Sequence, residues 1–454
     1  MSNKVLFFLF SFSLIAAACK KEIESYYSSD NVVPLPAGQN CSVEDETSYA
    51  FSYRISGMTQ QQNLHFFVGN SFFTQNWVES PSSTTARDGL GPLFNTASCS
   101  SCHFRDGRGE PFSGNGLLLR LSIPNGTGDP IYGGQFQDNG ISTVLKEGTI
   151  QINYIEVGGI YNDGTPYSLR EPTYTMINLN YGNMDASVLV SPRVGNQLIG
   201  LGLLEIIRES DLLANVDESD LNGDGISGRA NYVYDVYANS TVIGRFGWKA
   251  NTGTLPTQVA AAFNGDLGIK SSLFPNENHT SLQNLAGLPD GGILEISDED
   301  LAKTVLYCRT LAVPNRRNIA LASVANGQRI FRDLKCTSCH VETYKTGNEG
   351  NISPLKNVEI HPYTDLLLHD MGDDLSDNRP DNLASGNEWR TPPLWGIGLF
   401  QTVNNHTFYL HDGRARSIEE AILWHGGEAT NSLNTYKALK QSERQALLDF
   451  LNSL

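Results

Sequence analysis

The chain has 454 residues, of which 40% are hydrophobic and 18% charged, so it can bury a large core and is not a disordered protein. At about 150 residues per domain, this length predicts two or three domains. The 32 basic residues are outnumbered by 49 acidic ones, giving a formal net charge of -17. That balance excludes the basic surface of a nucleic-acid-binding protein.

The N-terminus has the pattern of an export signal that ends at a cysteine. A lysine precedes an apolar run over residues 5–15, and three alanines follow before Cys19. This pattern predicts a signal peptide over residues 1–18 and a lipid-anchored tether over 19–58, with the lipid on Cys19. An ordinary secretory signal cut near Ala18 is the alternative. Both place the protein outside the cytoplasm, in the periplasm or on the cell surface. No later apolar run is long enough to span a membrane, so the lipid is the only membrane contact expected.

Four of the seven cysteines form two C-x-x-C-H motifs. The first consists of Cys99, Cys102 and His103, and the second of Cys336, Cys339 and His340. Covalent haem c attachment needs two thiols for the vinyl groups and an imidazole to ligate the iron, so the motifs predict two haem c groups. Redox dithiols would leave both histidines unexplained, and a zinc site would need partner ligands nearer in sequence. Cys41 and Cys308 remain, either as a disulfide or as two independent thiols.

The same local pattern precedes both motifs, a Leu-Phe or Ile-Phe pair followed by four residues and the first cysteine. This repeat predicts the first helix of a cytochrome c domain, used twice. Between the motifs, alternating runs broken by Gly, Asn and Pro predict strands at residues 117–123, 149–157 and 172–180. Helices are predicted over 200–213 and 255–264, from Ser297 to before Pro314, and after caps at Ser417 and Ser442.

These elements predict a mainly α protein with two cytochrome c-like haem domains and a β-rich insertion between them. The first haem domain would span residues 59–318 and would contain the insertion at about 116–195. The second would span residues 319–454.

Several longer stretches resemble the bacterial di-haem cytochrome c peroxidase superfamily, and most closely its branch of di-haem oxidoreductases. The matching stretches, in the family's order, include GPLFNTASCSSCHFRDGRG, DGISGRAN, RFGWKAN, RTPPLWGIG and LHDGRARSIEEAILWHGGEA. The resemblance implies a peroxidase-like enzyme that takes hydrogen peroxide or a related oxidant and receives electrons from a small donor protein.

The resemblance also implies how the second iron is ligated. Relatives have a helix that begins Leu/Ile-Glu-Glu-Ala, and the fourth residue after that alanine ligates the second iron opposite the motif histidine. Here that residue is His425, so His340 and His425 would close this iron to substrate and favour electron transfer. Met371 is the runner-up ligand.

Three further residues match the superfamily's catalytic positions. Relatives place a tryptophan between the haems, a glutamine ten residues later, and then an acid. Trp248, Gln258 and Asp266 are the counterparts, with Asp266 two residues early and in place of glutamate. The acid would move a peroxide proton, and the glutamine would hydrogen-bond the developing charge. Glu205 is a rival for the acid.

The superfamily holds a calcium ion between its haem domains, and Asn231 and Thr391 match the residues that bind it. The loop from Asp220 to Gly225 begins like an EF-hand but lacks the glutamate at position twelve, so it is either a second calcium site or a plain acidic turn. Relatives often block the first iron with a histidine before the asparagine, and no histidine lies between Glu205 and Asn231. Arg390 and Arg414 are candidates to bind haem propionates.

Together these features predict an extracytoplasmic di-haem c oxidoreductase that reduces peroxide at the first haem with electrons relayed by the second. One alternative is a di-haem electron-transfer cytochrome without a substrate. Another is a haem oxygenase or a protein-modifying oxidase on the same scaffold, because a shared fold does not fix the reaction.

Overall fold

The computed structural model describes residues 34–285, 287–288 and 291–454. The predicted signal peptide, Cys19 and the first part of the predicted tether lie outside these residues. Within the described ranges, no helix is both long enough and apolar enough to cross a membrane.

The helices are short, and several begin at a side-chain cap. Thr59, Thr254, Ser297 and Ser417 each accept a hydrogen bond from a backbone N–H of the first turn. The described α-helices span Gly38–Cys41, Gln60–Thr74, Cys99–Cys102, Leu201–Glu205, Glu209–Leu213, Leu255–Leu267, Asp298–Arg309, Ala322–Asp333, Phe400–Asn404, Ile418–Leu423, Thr430–Ala438 and Gln441–Ser453. The helices predicted at 255–264, after Ser297 and after Ser417 are therefore confirmed. The cap predicted at Ser442 is wrong, because the helix begins at Gln441 and Glu443 accepts from the backbone N–H of Lys440 at 2.9 Å.

The strands pair two by two. One antiparallel pair joins Leu117–Ser122 to Leu189–Val194. A long hairpin is formed by the strands Thr149–Ile160 and Pro166–Ile177, and these pairs confirm the three predicted strands. The shorter described pairs are Ser42–Val43 with Val313–Pro314, Leu93–Phe94 with Asn139–Gly140, Tyr232–Asp235 with Ser240–Ile243, Tyr344–Lys345 with Glu359–Ile360, and Leu368–Asp370 with Glu388–Arg390.

The predicted fold class is wrong. The structure is 30% helical and 19% strand, with small scattered sheets, and it shows no two-domain layout. The reason lies in the core: one apolar cluster takes residues from both predicted haem domains, including Leu203, Phe263, Phe331 and Leu447. The 43 glycines and 19 prolines also keep the helices short. The boundary at 318/319 remains a prediction.

The single helix predicted near residue 200 is also wrong, since the chain forms two helices, Leu201–Glu205 and Glu209–Leu213. The guanidinium of Arg245 donates hydrogen bonds to the carbonyl oxygens of Leu204, at 3.0 Å, and Ile207, at 2.8 Å. These tertiary hydrogen bonds stabilise the break, so tertiary contacts override the helical pattern of the sequence.

The sequence repeat before the two C-x-x-C-H motifs does not form the same secondary structure twice. Ile330 and Phe331 lie in the helix Ala322–Asp333, whereas Leu93 and Phe94 form a short strand. The first copy follows a glycine and a proline. A Cβ on that glycine, Gly91, would lie 2.5 Å from the Cα of Gly268, so only glycine allows this close approach of two backbone segments.

The long hairpin supports the segment that ends at His425. Tyr161, at its tip, donates a hydrogen bond to Glu419 at 2.7 Å, and Arg170 donates to the backbone oxygen of Arg414 at 3.0 Å. Glu419 belongs to the helix Ile418–Leu423. The β-rich insertion therefore fixes the position of the helix that precedes His425, a predicted ligand of the second iron.

Candidate functional site

The first C-x-x-C-H motif folds as a single helical turn, Cys99–Cys102, that ends at His103. Burial raises the pKa of both thiols well above the usual value, so they stay protonated at neutral pH. Burial lowers the pKa of His103, whose Nδ1 faces the carbonyl oxygen of Gly107 at 3.4 Å. The neutral ring therefore has a nitrogen lone pair for a metal, the form in which histidine ligates iron.

Asp266 lies beside this motif. Its main-chain oxygen accepts hydrogen bonds from the N–H groups of Asn95, at 2.8 Å, and Thr96, at 3.2 Å, and its side chain accepts from Nε2 of Gln135 at 2.8 Å. The loss of water around the carboxyl raises the pKa of Asp266 to about 6, although Gln135 and Arg120 oppose the shift. This carboxyl can therefore gain and lose a proton near neutral pH, as a proton-transfer group must.

The structure separates the other two predicted acid–base residues from Asp266. Gln258 lies on the same helix but eight residues earlier, a rise of about 12 Å along the axis. Glu205 is held by the guanidinium of Arg309 at 2.5 and 3.0 Å and accepts from the N–H of Leu255 at 2.9 Å. A carboxylate fixed by an arginine fork and a helix terminus has a structural role, so the surroundings favour Asp266 as the acid.

A second acidic residue, Asp106, also lies beside the first motif. Only its position near His103 could have indicated it from the sequence. Asp106 follows His103 by three residues and is 4% exposed, and burial raises its pKa to about 6. The hydroxyl of Tyr307 donates a hydrogen bond to it. The ring of Tyr307 also packs on Phe73, whose centroid lies 6.1 Å from that of His103. Asp106 thus matches Asp266 in its pKa but has a phenol as its partner.

Trp248 connects the two motifs. Its indole Nε1 donates to the main-chain oxygen of Val194 at 2.8 Å. The next residue, Gly195, lies so close to the first motif that a Cβ on it would be 2.9 Å from Cε1 of His103. The indole also lines the cavity of the second motif, and the guanidinium of Arg108 lies 5.1 Å from the ring centroid. One aromatic side chain therefore reaches from the neighbourhood of His103 to the second site.

The second motif opens into a mainly apolar cavity. The space free of protein atoms there is about 1530 Å³ when the open solvent at its mouth is included. Cys336, Cys339, His340, Met371 and His425 all line it. The structure therefore brings both predicted axial histidines into one cavity, and it brings the runner-up methionine there as well.

Both histidines are held by a backbone carbonyl. The Nδ1 of His340 lies 2.8 Å from the oxygen of Tyr363, and the Nδ1 of His425 lies 2.7 Å from the oxygen of Ala421. Burial lowers the pKa of His340 to about 4 and also lowers that of His425. Each ring is therefore neutral and donates through Nδ1, which leaves Nε2 as the metal-binding atom.

Two further histidines, His369 and His411, also line this cavity. His369 lies between Asp365 and Glu428, with 2.8 Å to each carboxylate, and these raise its pKa well above the usual value despite burial. His411 stacks on Trp389 with ring centroids 3.8 Å apart, and burial lowers its pKa to about 4. The site thus combines a charged imidazole with a neutral one, a difference set by contacts distant in sequence.

The side chains around the motifs fit two haems. The second cavity is mainly apolar. Outside its lining, the Nε atoms of Arg120 and Arg379 are buried without a hydrogen-bond partner in the described part of the chain. Haem carboxylates would supply acceptors for such donors. The predicted propionate partners are engaged by the protein, because Arg390 donates to backbone carbonyls and Arg414 to a neighbouring aspartate.

The predicted calcium ligands are also engaged by the protein. The side-chain oxygen of Asn231 accepts from the N–H of Leu383 at 3.0 Å, and the main-chain oxygen of Thr391 accepts from Thr364 at 2.5 Å and from Arg390 at 3.1 Å. Nowhere in the described ranges do three or more His, Cys, Asp or Glu side chains form a group suited to a metal ion. The two predicted residues therefore do not fit a calcium site.

The remaining cysteines, Cys41 and Cys308, are both buried and free. The Sγ of Cys41 donates to the oxygen of Pro354 at 3.3 Å, whereas Cys308 packs in an apolar cluster with Phe66 and Phe73. Of the two alternatives from the sequence, the structure shows the independent thiols.

The sequence model of one protein family, described as "Di-haem oxidoreductase, putative peroxidase", matches residues 37–115 and 152–454. The unmatched internal stretch, residues 116–151, lies within the predicted β-rich insertion. No curated protein matches the chain.

Proposed function

Because this chain belongs to the di-haem oxidoreductase family, whose name implies two haems, we propose that it reduces hydrogen peroxide at the first haem with electrons relayed by the second. The observation that carries this proposal is the difference between the two motifs. His340 shares its cavity with His425, whereas the carboxyl of Asp266, with a pKa of about 6, lies against the first motif. One site therefore suits electron storage, and the other suits proton transfer to a substrate.

The two haems would supply, when bound, an iron that binds peroxide on His103 and an electron store on His340. Reduction of one peroxide to two waters consumes two electrons and two protons. As a carboxylate, Asp266 takes the proton from one peroxide oxygen and returns it to the oxygen that leaves as water. Gln135 holds the carboxylate in place through its 2.8 Å hydrogen bond.

Electrons pass between the sites by way of Trp248. The hydrogen bond from its indole to Val194 fixes the ring beside the segment that packs against His103. Arg108 covers the ring and donates at 2.7 Å to the oxygen of Phe408, so the guanidinium and the hydrogen bond to Val194 together restrain the indole. A rigid aromatic ring between two redox centres favours transfer because it needs little rearrangement.

The protein works outside the cytoplasm, tethered by a lipid on Cys19, and takes electrons from a small donor protein. Two haem c motifs and the signal pattern support this location, and the net charge of -17 favours a basic donor. Labelled fatty acid should be incorporated by the full chain and lost in Cys19→Ala. Donor oxidation by the holoprotein should slow as ionic strength rises.

The proposed reaction is tested on the holoprotein with peroxide and a reduced donor in a stopped-flow instrument. We expect two donor electrons per peroxide and no oxygen release. A holoprotein that exchanges electrons with the donor but leaves peroxide untouched would be an electron-transfer cytochrome. Consumption of molecular oxygen with an organic substrate would indicate the oxygenase alternative, and either result refutes the proposal.

A further inference from the structure

Lys249, the residue after Trp248, places its ammonium group in the interior. The residue is 0% exposed. Its Nζ donates to Oδ1 of Asp377 at 2.8 Å and to three main-chain oxygens, those of Arg379 at 3.1 Å, Ser385 at 2.7 Å and Gly386 at 3.0 Å. One carboxylate and three carbonyls are the oxygen donors that proteins offer to a hard cation such as calcium.

Of these four oxygen ligands, the carboxylate of Asp377 is held in place independently of the lysine. Asp377 accepts hydrogen bonds from the hydroxyl of Ser191 and from the backbone N–H of Arg379, at 2.9 Å for the latter. The ammonium nitrogen also lies over the ring of Trp389, 4.4 Å from the ring centroid, an arrangement that favours a cation. Burial lowers the pKa of Lys249 to about 8, so the charged form still predominates at neutral pH.

Lys249 lies at a junction between the chain around Asn231 and the segment that leads to Thr391, the two predicted calcium ligands. The backbone oxygen of Trp248 accepts from the N–H of Arg390, the residue before Thr391, at 2.8 Å. The backbone oxygen of Lys249 accepts from Nδ2 of Asn231 at 2.7 Å, and Asn231 also donates to Asp381 at 3.1 Å. The residues around Asn231 and those between Asp377 and Gly386 therefore meet at the lysine. Both oxygens predicted to bind calcium are engaged by protein donors, as described above.

We propose that the ammonium group of Lys249 is the resident cation of this junction, and that the protein needs no divalent cation there. A lysine performs the electrostatic work of a metal when its head group is surrounded by a carboxylate and carbonyls. It cannot be removed by a chelator, so the junction would hold at calcium concentrations that leave a metal site empty.

The first test uses the holoprotein in an Asp224→Ala background, which removes a carboxylate from the EF-hand-like loop as a separate source of calcium. After dialysis against EGTA, we expect well under one calcium per chain by elemental analysis and no change in melting temperature when calcium is restored. One tightly held calcium per chain, with a lower melting temperature after chelation, would overturn the proposal. This arm does not depend on any change at Lys249.

The second test removes the charge. Lys249→Met should lower the melting temperature of the holoprotein by about 5–10 °C, because it leaves Asp377 buried without its partner. The double variant Lys249→Met/Asp377→Leu should recover at least half of that loss. Lys303→Met, which removes a lysine from two ion pairs near the surface, is the matched control and should shift it little. A double variant less stable than Lys249→Met would show that the lysine only fills space, and would overturn the proposal.

Discussion

The proposed role of Asp266 in proton transfer leads to a specific pH dependence. With a pKa of about 6, the carboxylate that accepts the peroxide proton is about 9% of the population at pH 5 and about 91% at pH 7. The rate constant for the reaction with peroxide should therefore rise about tenfold between these values and level off above pH 7. Replacing Asp266 with Asn removes the base, so we expect a loss of about 10²–10⁴-fold at pH 7 and a flat profile.

The assay is single-turnover stopped-flow spectroscopy of the fully loaded holoprotein from pH 5 to 8. Asp106→Asn is the matched control, because Asp106 lies beside the same motif and burial also raises its pKa to about 6. This control should keep the inflection near pH 6. Removing the hydrogen bond that lowers the pKa of Asp266, in Gln135→Leu, should move the inflection to higher pH. An Asp266→Asn protein that keeps its rate within threefold, or its inflection, would refute this assignment.

Three other substitutions test separate parts of the site. Trp248→Phe should slow reduction of the first haem by the second, which flash reduction measures. It should also lower the free energy of unfolding by about 1–3 kcal/mol, measured by urea unfolding, because the oxygen of Val194 loses its hydrogen-bond donor. His425→Ala should convert the second haem from low-spin to high-spin in its EPR spectrum, whereas Met371→Ala should not, and the reverse result would make the methionine the ligand. Glu205→Gln should cost about 1.5–3 kcal/mol of unfolding free energy by breaking its arginine pair, with little change in peroxide rate. A large fall in that rate would instead make Glu205 the acid.

The haem-binding segments could be predicted from the sequence because their chemistry is local. Two thiols and an imidazole within five residues suffice to identify a motif. The family resemblance supplied His425, as the fourth residue after the alanine of Ile-Glu-Glu-Ala. Both histidines of the second site line one cavity in the structure. The first residue of a helix could be predicted where a hydroxyl caps it, as at Ser297 and Ser417.

The rest depends on contacts between residues far apart in the chain. No local pattern shows that Arg245 will bind the carbonyls that break a helix, or that a shared core will join the two haem segments. The charge of His369 follows from Asp365 and Glu428, and the second of these lies 59 residues away. Lys249 has the appearance of a surface residue in the sequence and is fully buried in the fold. Such environments emerge only from tertiary packing, which a reading of local periodicity does not contain.

In the proposed mechanism, one haem is open to peroxide and the other is closed by two histidines. A peroxide titration of the ferric and half-reduced holoprotein, followed by optical and EPR spectroscopy, distinguishes the two haems. We predict one high-spin and one low-spin haem, with the high-spin signal lost at one equivalent of peroxide. Two low-spin haems that do not react with peroxide in either redox state would contradict the proposed open haem and would make the protein an electron carrier.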